Sequence, residues 1–245
     1  MESLPVVQSD QSVRNEQTVF AERGLAATIE TLCEEIRELY LWDEVPWVVG
    51  YSGGKDSSAI LQLVWMAVSQ LPPEQRSKPI HVISTDTLVE QPVVAAWVDA
   101  SHARMREAAR KQELPITPHR LTPAVEDSFW VNLIGKGYPA PRRTFRWCTS
   151  RMKINPANDF IRTVVDAHGE AVLVLGTRKA ESQLRAKNME RHERKKVRER
   201  LTPNASLPNS LVYTPIEDWT NVDVWLFLMQ VKNAWGHNNK ALNSM

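Results

Sequence analysis

The sequence predicts an α/β protein of three layers, with a twisted, mainly parallel sheet covered by helices on both faces. Three observations predict it. Apolar runs of strand length alternate with segments of helical periodicity, the pattern of βαβ units. The strands are nearly continuous apolar runs, as strands covered on both faces are. Polar or glycine residues end three of these runs, at Tyr51-Ser52, Thr85-Asp86 and Gly176-Thr177, and ligands of such sheets bind beyond the carboxyl ends of the strands.

The elements follow in chain order. Residues 1–17 are polar and mixed in charge and read as a loose tail. Over residues 19–41, Leu25, Ile29, Leu32, Ile36 and Leu39 recur three and four apart, which predicts a helix. Cys33 sits beside that stripe and reads as a small core hydrophobe. Trp47-Val48-Val49, after Pro46, is a short buried strand. Residues 57–70 return to helical spacing until Pro72-Pro73 breaks it. A second strand covers 79–85 and ends in Asp86. Residues 92–113 predict a helix with Pro92 near its first turn, and 116–121 a third strand. AVLVLGT, 171–177, is the clearest strand in the chain, and 211–216 is another. A helix at 221–231 follows, with Thr220 or Asn221 as its cap. Trp219, Val222, Val224, Trp225 and Leu228 give it a core-facing spacing. There is no internal repeat and no low-complexity tract.

A chain of 245 residues is one large domain or two small ones. We read 18–232 as one domain with a basic insertion at about 185–208, and 233–245 as the start of a missing or shortened C-terminal region. The formal net charge of +1 gives no global field toward nucleic acid or membrane, so any such preference is local. No apolar run is long enough to span a bilayer, and the N-terminus is unlike a signal peptide. Two cysteines without a CxxC pair argue against a disulfide scaffold or a self-sufficient zinc site and suit a reducing, cytoplasmic location.

The string YSGGKDSS, 51–58, lies between the first strand and the helix after it. Gly53 and Gly54 permit positive φ and close approach of backbone to a ligand. The helix start presents free N–H groups and a positive dipole end, which favour phosphate. Lys55 adds a full charge, Asp56 can hold Mg²⁺ or cap the helix, and Ser52, Ser57 and Ser58 offer hydroxyls. It is not a Walker A loop, which needs Gly at 49 and Ser or Thr at 56, where Val49 and Asp56 stand. Ser52 to Ser57 resemble, one for one, the pyrophosphate-binding loop of the adenine nucleotide α-hydrolase superfamily. That resemblance implies a Rossmann-like fold, binding of ATP or a related adenylyl nucleotide, and cleavage between the α and β phosphates.

A second constellation, LGTRKAESQLR, follows the strongest strand. Arg178, Glu181, Ser182 and Arg185 fall three or four apart, so one helix turn can present them on one face. Two arginines and a serine there suit phosphate or sulfate, with Glu181 orienting an arginine. A solvated, self-paired helix start fits the same residues. GxRxxESxxR and TPIEDWTNVDVWLFL resemble the PAPS reductase-like branch of the superfamily. Within it, WVVGYSGGKDSS, HVISTDTLVEQPVVAAWVDAS, FWVNLIGKGYPAP and FRWCTSRMKINP look most like the DndC family, the ATP pyrophosphatase-like component of bacterial DNA phosphorothioation. The resemblance runs from about residue 40 to the C-terminus.

What it implies is specific. Lys55, Asp56, Arg178 and Arg185 would be catalytic, with Asp56 as the magnesium ligand. Ser52 to Ser57, Thr85, Asp86, Thr87, Gly176, Arg178, Glu181 and Ser182 would bind the nucleotide, the 85–87 stretch on its nucleoside side. A cysteine desulfurase would donate sulfur, alongside other DNA phosphorothioation proteins. Cys148 has Arg142, Arg143, Arg146, Arg151 and Lys153 around it in sequence. Those cations favour a thiolate, or Cys148 packs inertly beside Trp147. The resemblance makes it one ligand of a [4Fe–4S] cluster whose other ligands lie outside this chain, because four thiolates are normally needed. From Arg185 to Arg200 the chain carries a strongly basic run. It reads as a solvated helix or insertion, or as a track for the DNA backbone without base readout. Two rivals stand beside this reading: a PAPS/APS reductase-type sulfonucleotide enzyme, and a non-catalytic nucleotide-sensing DNA-binding subunit.

Overall fold

The structure is a computed structural model, and it describes residues 18–142, 144–181 and 200–244. The expected tail, Arg143, Ser182, Arg185 and the basic run to residue 199 lie outside the described residues, as does the side chain of Glu181.

The helices are α1 (Gly24–Leu41), α2 (Lys55–Ser69), α3 (Pro92–Lys111), the single turn α4 (Trp147–Thr149), α5 (Asn155–His168) and α6 (Asn221–Gln230). The strands are β1 (Trp47–Gly50), β2 (Ile80–Thr85), β3 (Ile116–Leu121), β4 (Ala171–Val174), β5 (Thr202–Pro203) and β6 (Ser210–Tyr213). They form one sheet in the order β3-β2-β1-β4-β6-β5. All pairs are parallel except β5 with β6. This is the α/β fold that the sequence predicts.

Strand alternation divides the core. Trp47, Val49, Ile80, Val82, Val172 and Val174 face one side, under α1, α2, α3 and α6. Val48, Ile83 and Ala171 face the other, under Ile161 and Val164 of α5. Burying each large apolar side chain stabilises by about 1.5–3 kcal/mol, so each layer is held by its own side of the sheet. Pro118 cannot donate to a ladder, and β3 tolerates it because it is an edge strand.

Several boundaries differ from the sequence expectation. The first helix begins at Gly24, not residue 19, because 18–23 form turns closed by Ala21 N–H to Thr18 O and Gly24 N–H to Phe20 O. Helix α2 begins at Lys55, two residues early, with Gly54 as an extended N-cap. The last part of the expected insertion, after residue 200, contains β5, which pairs Thr202 with Val212 and Pro203 with Leu211. At α6, Thr220 is the cap: its hydroxyl accepts from Asp223 N–H while the Asp223 carboxylate accepts from Thr220 N–H, a reciprocal box. Val222, expected in the core, is half exposed because it lies off the Val224–Phe227–Leu228 face. Packing also continues past residue 232. Trp235 packs against Tyr51 and Trp65, and Asn239 donates to Leu228 O at 2.8 Å. Among the described residues no helix is long and apolar enough to cross a membrane.

Candidate functional site

The chain lays β1, β2 and β3 outward on one side, then returns to the other side of β1 with β4. That reversal opens a crevice at the carboxyl ends of β1 and β4, the switch point where such sheets bind ligands. A cavity of about 660 Å³ lies there, lined by Ser52, Asp56 and Ser57 from the first loop, Thr85 and Asp86 after β2, and Gly176 and Thr177 after β4. A smaller cavity of about 420 Å³ adjoins it through Thr177, Asn204 and Val212, with Glu35, Glu217 and Asp218 on its wall. That acidic wall suits phosphate less well than the first loop does.

The loop is built by its own serines. Ser52 N–H donates to Ser57 Oγ at 3.2 Å, and Ser57 Oγ donates to Gly54 O at 2.9 Å. Gly53 has φ +77°, and a Cβ there would meet Val98 Cγ2 at 2.9 Å and Trp97 Cδ1 at 3.2 Å, so both conformation and contact with α3 demand glycine. Among the described residues, no hydrogen bond takes the N–H groups of Lys55, Asp56 and Ser57, and no side chain caps the helix. These amides, with the helix dipole and Lys55 beside them, make a helix start of the kind that favours an anion.

Asp56 and Arg178 meet across this crevice. Arg178 Nε donates to Asp56 Oδ1 at 2.7 Å, and Lys55 Nζ to Asp56 Oδ2 at 3.0 Å. A second Arg178 nitrogen donates to Trp219 O at 3.2 Å, and the residue is only 3% exposed. The expected roles shift accordingly. Arg178 stands before a short 3₁₀ turn, Lys179–Glu181, rather than on a helix face, and Asp56 orients it. Asp56 neither caps α2 nor offers a free carboxylate: each oxygen already accepts from a cation, so as placed it does not fit a magnesium ion. Gly176 lines the cavity and also packs on α2, where a Cβ would sit 2.9 Å from the backbone C and O of Asp56. Gly176 and Arg178 thus lock the β4 loop to the first turn of α2.

On the other wall, Asp86 pairs with Arg120 and accepts from Leu88 N–H at 2.8 Å. Burial works against the Asp86 charge, but the Arg120 and Leu88 bonds outweigh it and hold the carboxyl below its usual range. Thr85 Oγ1 reaches Lys153 O at 3.5 Å. Thr87 is buried away from the cavity wall, with its hydroxyl on Glu90 at 3.2 Å. Sequence reasoning passed over Arg120 and read Lys153 only as a neighbour of Cys148; both line the cavity. Arg120 was findable, because it is the last residue but one of the strand that pairs with β2.

Cys148 is half-buried in α4 and is not on the cavity wall. Two of the cations expected around it pair elsewhere: Arg151 with Asp127 at 2.5 Å and Lys153 with Glu90 at 3.0 Å. Cys33 is buried in the core, where burial first and Glu30 second push its thiol up to about 11. Among the described residues no three metal-ligating side chains gather. The residues present do not fit an iron–sulfur cluster.

A mainly parallel sheet with a glycine–lysine loop and an arginine-locked crevice at its switch point is the architecture of a nucleotide-binding α/β protein. Residues 46–233 match the phosphoadenosine phosphosulfate reductase domain, and the chain belongs to that family. It is 26% identical over 211 residues to the uncharacterised protein MJ0066 of Methanocaldococcus jannaschii, covering 86% of this chain and 35% of that one. The chain therefore spans about a third of that relative's length. Among solved structures it is similar to the phosphoadenylyl-sulfate (PAPS) reductase of Candida auris in its phosphate complex, with a TM-score of 0.48, 15% identity, and coverage of 88% of this chain and 90% of that one. It is also similar to the U34-tRNA thiolase NcsA of Methanococcus maripaludis with its [4Fe-4S] cluster, with a TM-score of 0.49, 15% identity, and coverage of 83% and 63%.

Proposed function

We propose that this chain is an ATP pyrophosphatase of the DndC kind, which adenylates the DNA backbone for replacement of a non-bridging oxygen by sulfur. The observation that carries the reading is the unpaired amide row of Lys55, Asp56 and Ser57, beside the Lys55 ammonium, at the mouth of a nucleotide-sized cavity. In the reaction a backbone phosphate oxygen attacks the α-phosphorus of ATP, the α–β bridging bond breaks, and pyrophosphate leaves with the bonding electrons. The loop amides and Lys55 hold the departing pyrophosphate and stabilise the charge that develops on it. Arg178 acts by fixing Asp56 and thereby the first turn of α2. Thr85 and Asp86 border the nucleoside end of the same cavity.

Sulfur delivery belongs to the DNA-bound complex: Cys148, a cysteine desulfurase and the other DNA phosphorothioation proteins. The basic run from Arg185, itself a proposed phosphate contact together with Ser182, would follow the DNA backbone. The family's own description, a phosphoadenosine phosphosulfate reductase domain, favours a second reading, a sulfonucleotide reductase.

One assay separates the two. The protein is incubated with DNA and magnesium, and with either α-labelled ATP or PAPS plus a dithiol. Release of pyrophosphate from ATP, lost in Lys55→Ala, is expected. Sulfite from PAPS with no turnover of ATP would overturn the proposal in favour of the reductase. Nucleotide binding without turnover of either compound would overturn it in favour of a sensing subunit.

A further inference from the structure

Residues 125–154 run between β3 and α5, and the nucleotide cavity uses only their last two, Lys153 and Ile154. In a chain of net charge +1 this segment carries six lysines and arginines against Glu126 and Asp127. Asp127 is occupied by Arg151. Arg142 and Arg146 are exposed, and neither makes an ion pair among the described residues.

Aromatic rings stand among these cations. Trp130 is 59% exposed and Phe145 45%. Each is held by its neighbours. Phe129 meets Trp130 edge-on at 5.1 Å and stacks on Trp147 at 5.5 Å. Trp147 is buried, donates its indole N–H to Pro139 O at 3.0 Å, and is flanked by Tyr138 at 5.6 Å. Phe145 is fixed by reciprocal backbone bonds with Arg142, at 2.9 and 3.0 Å. One buried ring therefore sets the position of the exposed tryptophan and adjoins Arg146 and Cys148 in the chain. Protein-binding patches are depleted of charge at their centre. Aromatic residues and arginine are common in such patches too, but here six cations stand against only Glu126 and the paired Asp127, and an excess of cations beside exposed rings is the combination by which proteins track single-stranded nucleic acid.

We propose that this face binds unpaired DNA, with bases stacked on Trp130 and Phe145 and the backbone passing Arg142 and Arg146 toward the cavity wall at Lys153. The inference rests on the reading of DNA as the substrate and adds that the strand is engaged out of its duplex. Bases inside a duplex already stack on one another and cannot lie on a side chain.

The test uses the full chain and fluorescence anisotropy with a short labelled single strand, and with the same sequence as a duplex, over a range of salt. The wild type is expected to favour the single strand. Trp130→Ala should weaken that binding about tenfold or more with its salt slope unchanged, and Trp130→Phe should retain most of the affinity. The Arg142→Ala, Arg146→Ala double variant should lower the log–log salt slope by about 0.7 for each phosphate it no longer neutralises. ATP binding without DNA, followed by calorimetry, should be unchanged in Trp130→Ala, which reports its folding. Equal binding by wild type and Trp130→Ala, equal preference for duplex, or Trp130-dependent self-association in its place would each overturn the stacking face. Should the wild type bind no DNA in any form, the DNA part of the proposed function fails with it; should it bind while Trp130→Ala binds equally well, only the stacking face fails.

Discussion

Replacing Arg178 with methionine asks whether this guanidinium acts on a ligand or on Asp56. Its side chain is 4% exposed and that of Asp56 20%, with 2.7 Å between them. Removing one partner of a fully buried pair costs about 3–5 kcal/mol, because the other charge is left uncompensated. Asp56 is partly solvated and keeps Lys55 at 3.0 Å, so the loss should be smaller. We expect about 2–3 kcal/mol, including the bond to Trp219 O. For a chain of this size that lowers Tm by about 4–12 °C. Asp56→Ala should cost more, since it strands the more buried guanidinium. The double variant should cost less than the sum of the two, with a coupling of about 1–3 kcal/mol. Urea denaturation of the four proteins, with ATP binding followed by calorimetry, measures all of these terms. Additivity within about 0.5 kcal/mol would refute the argument. So would an Arg178→Met protein of full stability that no longer binds ATP, because the guanidinium would then act on the nucleotide directly.

Two further predictions follow from the same geometry. Gly176→Ala puts a methyl against the backbone of Asp56, which cannot yield as a flexible side chain does; it should cost about 1–3 kcal/mol and weaken inorganic pyrophosphate binding by calorimetry, and unchanged affinity would separate this contact from the anion loop. Acid should destabilise the fold through its histidines. Burial, with Arg106 adding to it, pushes His102 down to about 4, and burial with Arg104 does the same to His237. Unfolded, both take up protons near the ordinary value of about 6.5. Their contribution is therefore fully present above that pH and is lost as pH falls toward 4, at up to about 1.4 kcal/mol per pH unit for each histidine. Urea midpoints at neutral and acid pH should show this slope, and His102→Gln should reduce it by about one proton; an unaltered slope would count against the buried, neutral His102.

Much of the fold could be read in advance because its signals are local. Strand β3 occupies the residues expected of it, 116–121, since the ends of ITPHRL are marked by the turn residues around it. Thr220 could be named as a cap because its partner, Asp223, lies three residues on. The YSGGKDSS string could be placed at a helix start for the same reason. The β5–β6 pair was missed, because a two-residue strand containing a proline has no periodicity to read. Thr87 was grouped with its neighbours Thr85 and Asp86, yet the chain turns after β2 and buries it against Glu90.

The sequence by itself determined the alternation of strands and helices, the glycine–lysine loop between β1 and α2, and the run of cations flanking Cys148 in the chain. Each follows from residues within a few positions of one another, where side-chain period, glycine torsions and helix-end amides decide the outcome. Only the tertiary structure decided what Arg178 and Gly176 do. Their partner, Asp56, lies more than a hundred positions away in the chain, Arg178 being separated from it by 122. The pairing exists because β4 docks beside β1, and in the low-dielectric crevice so formed a carboxylate secures a buried guanidinium more strongly than solvent does.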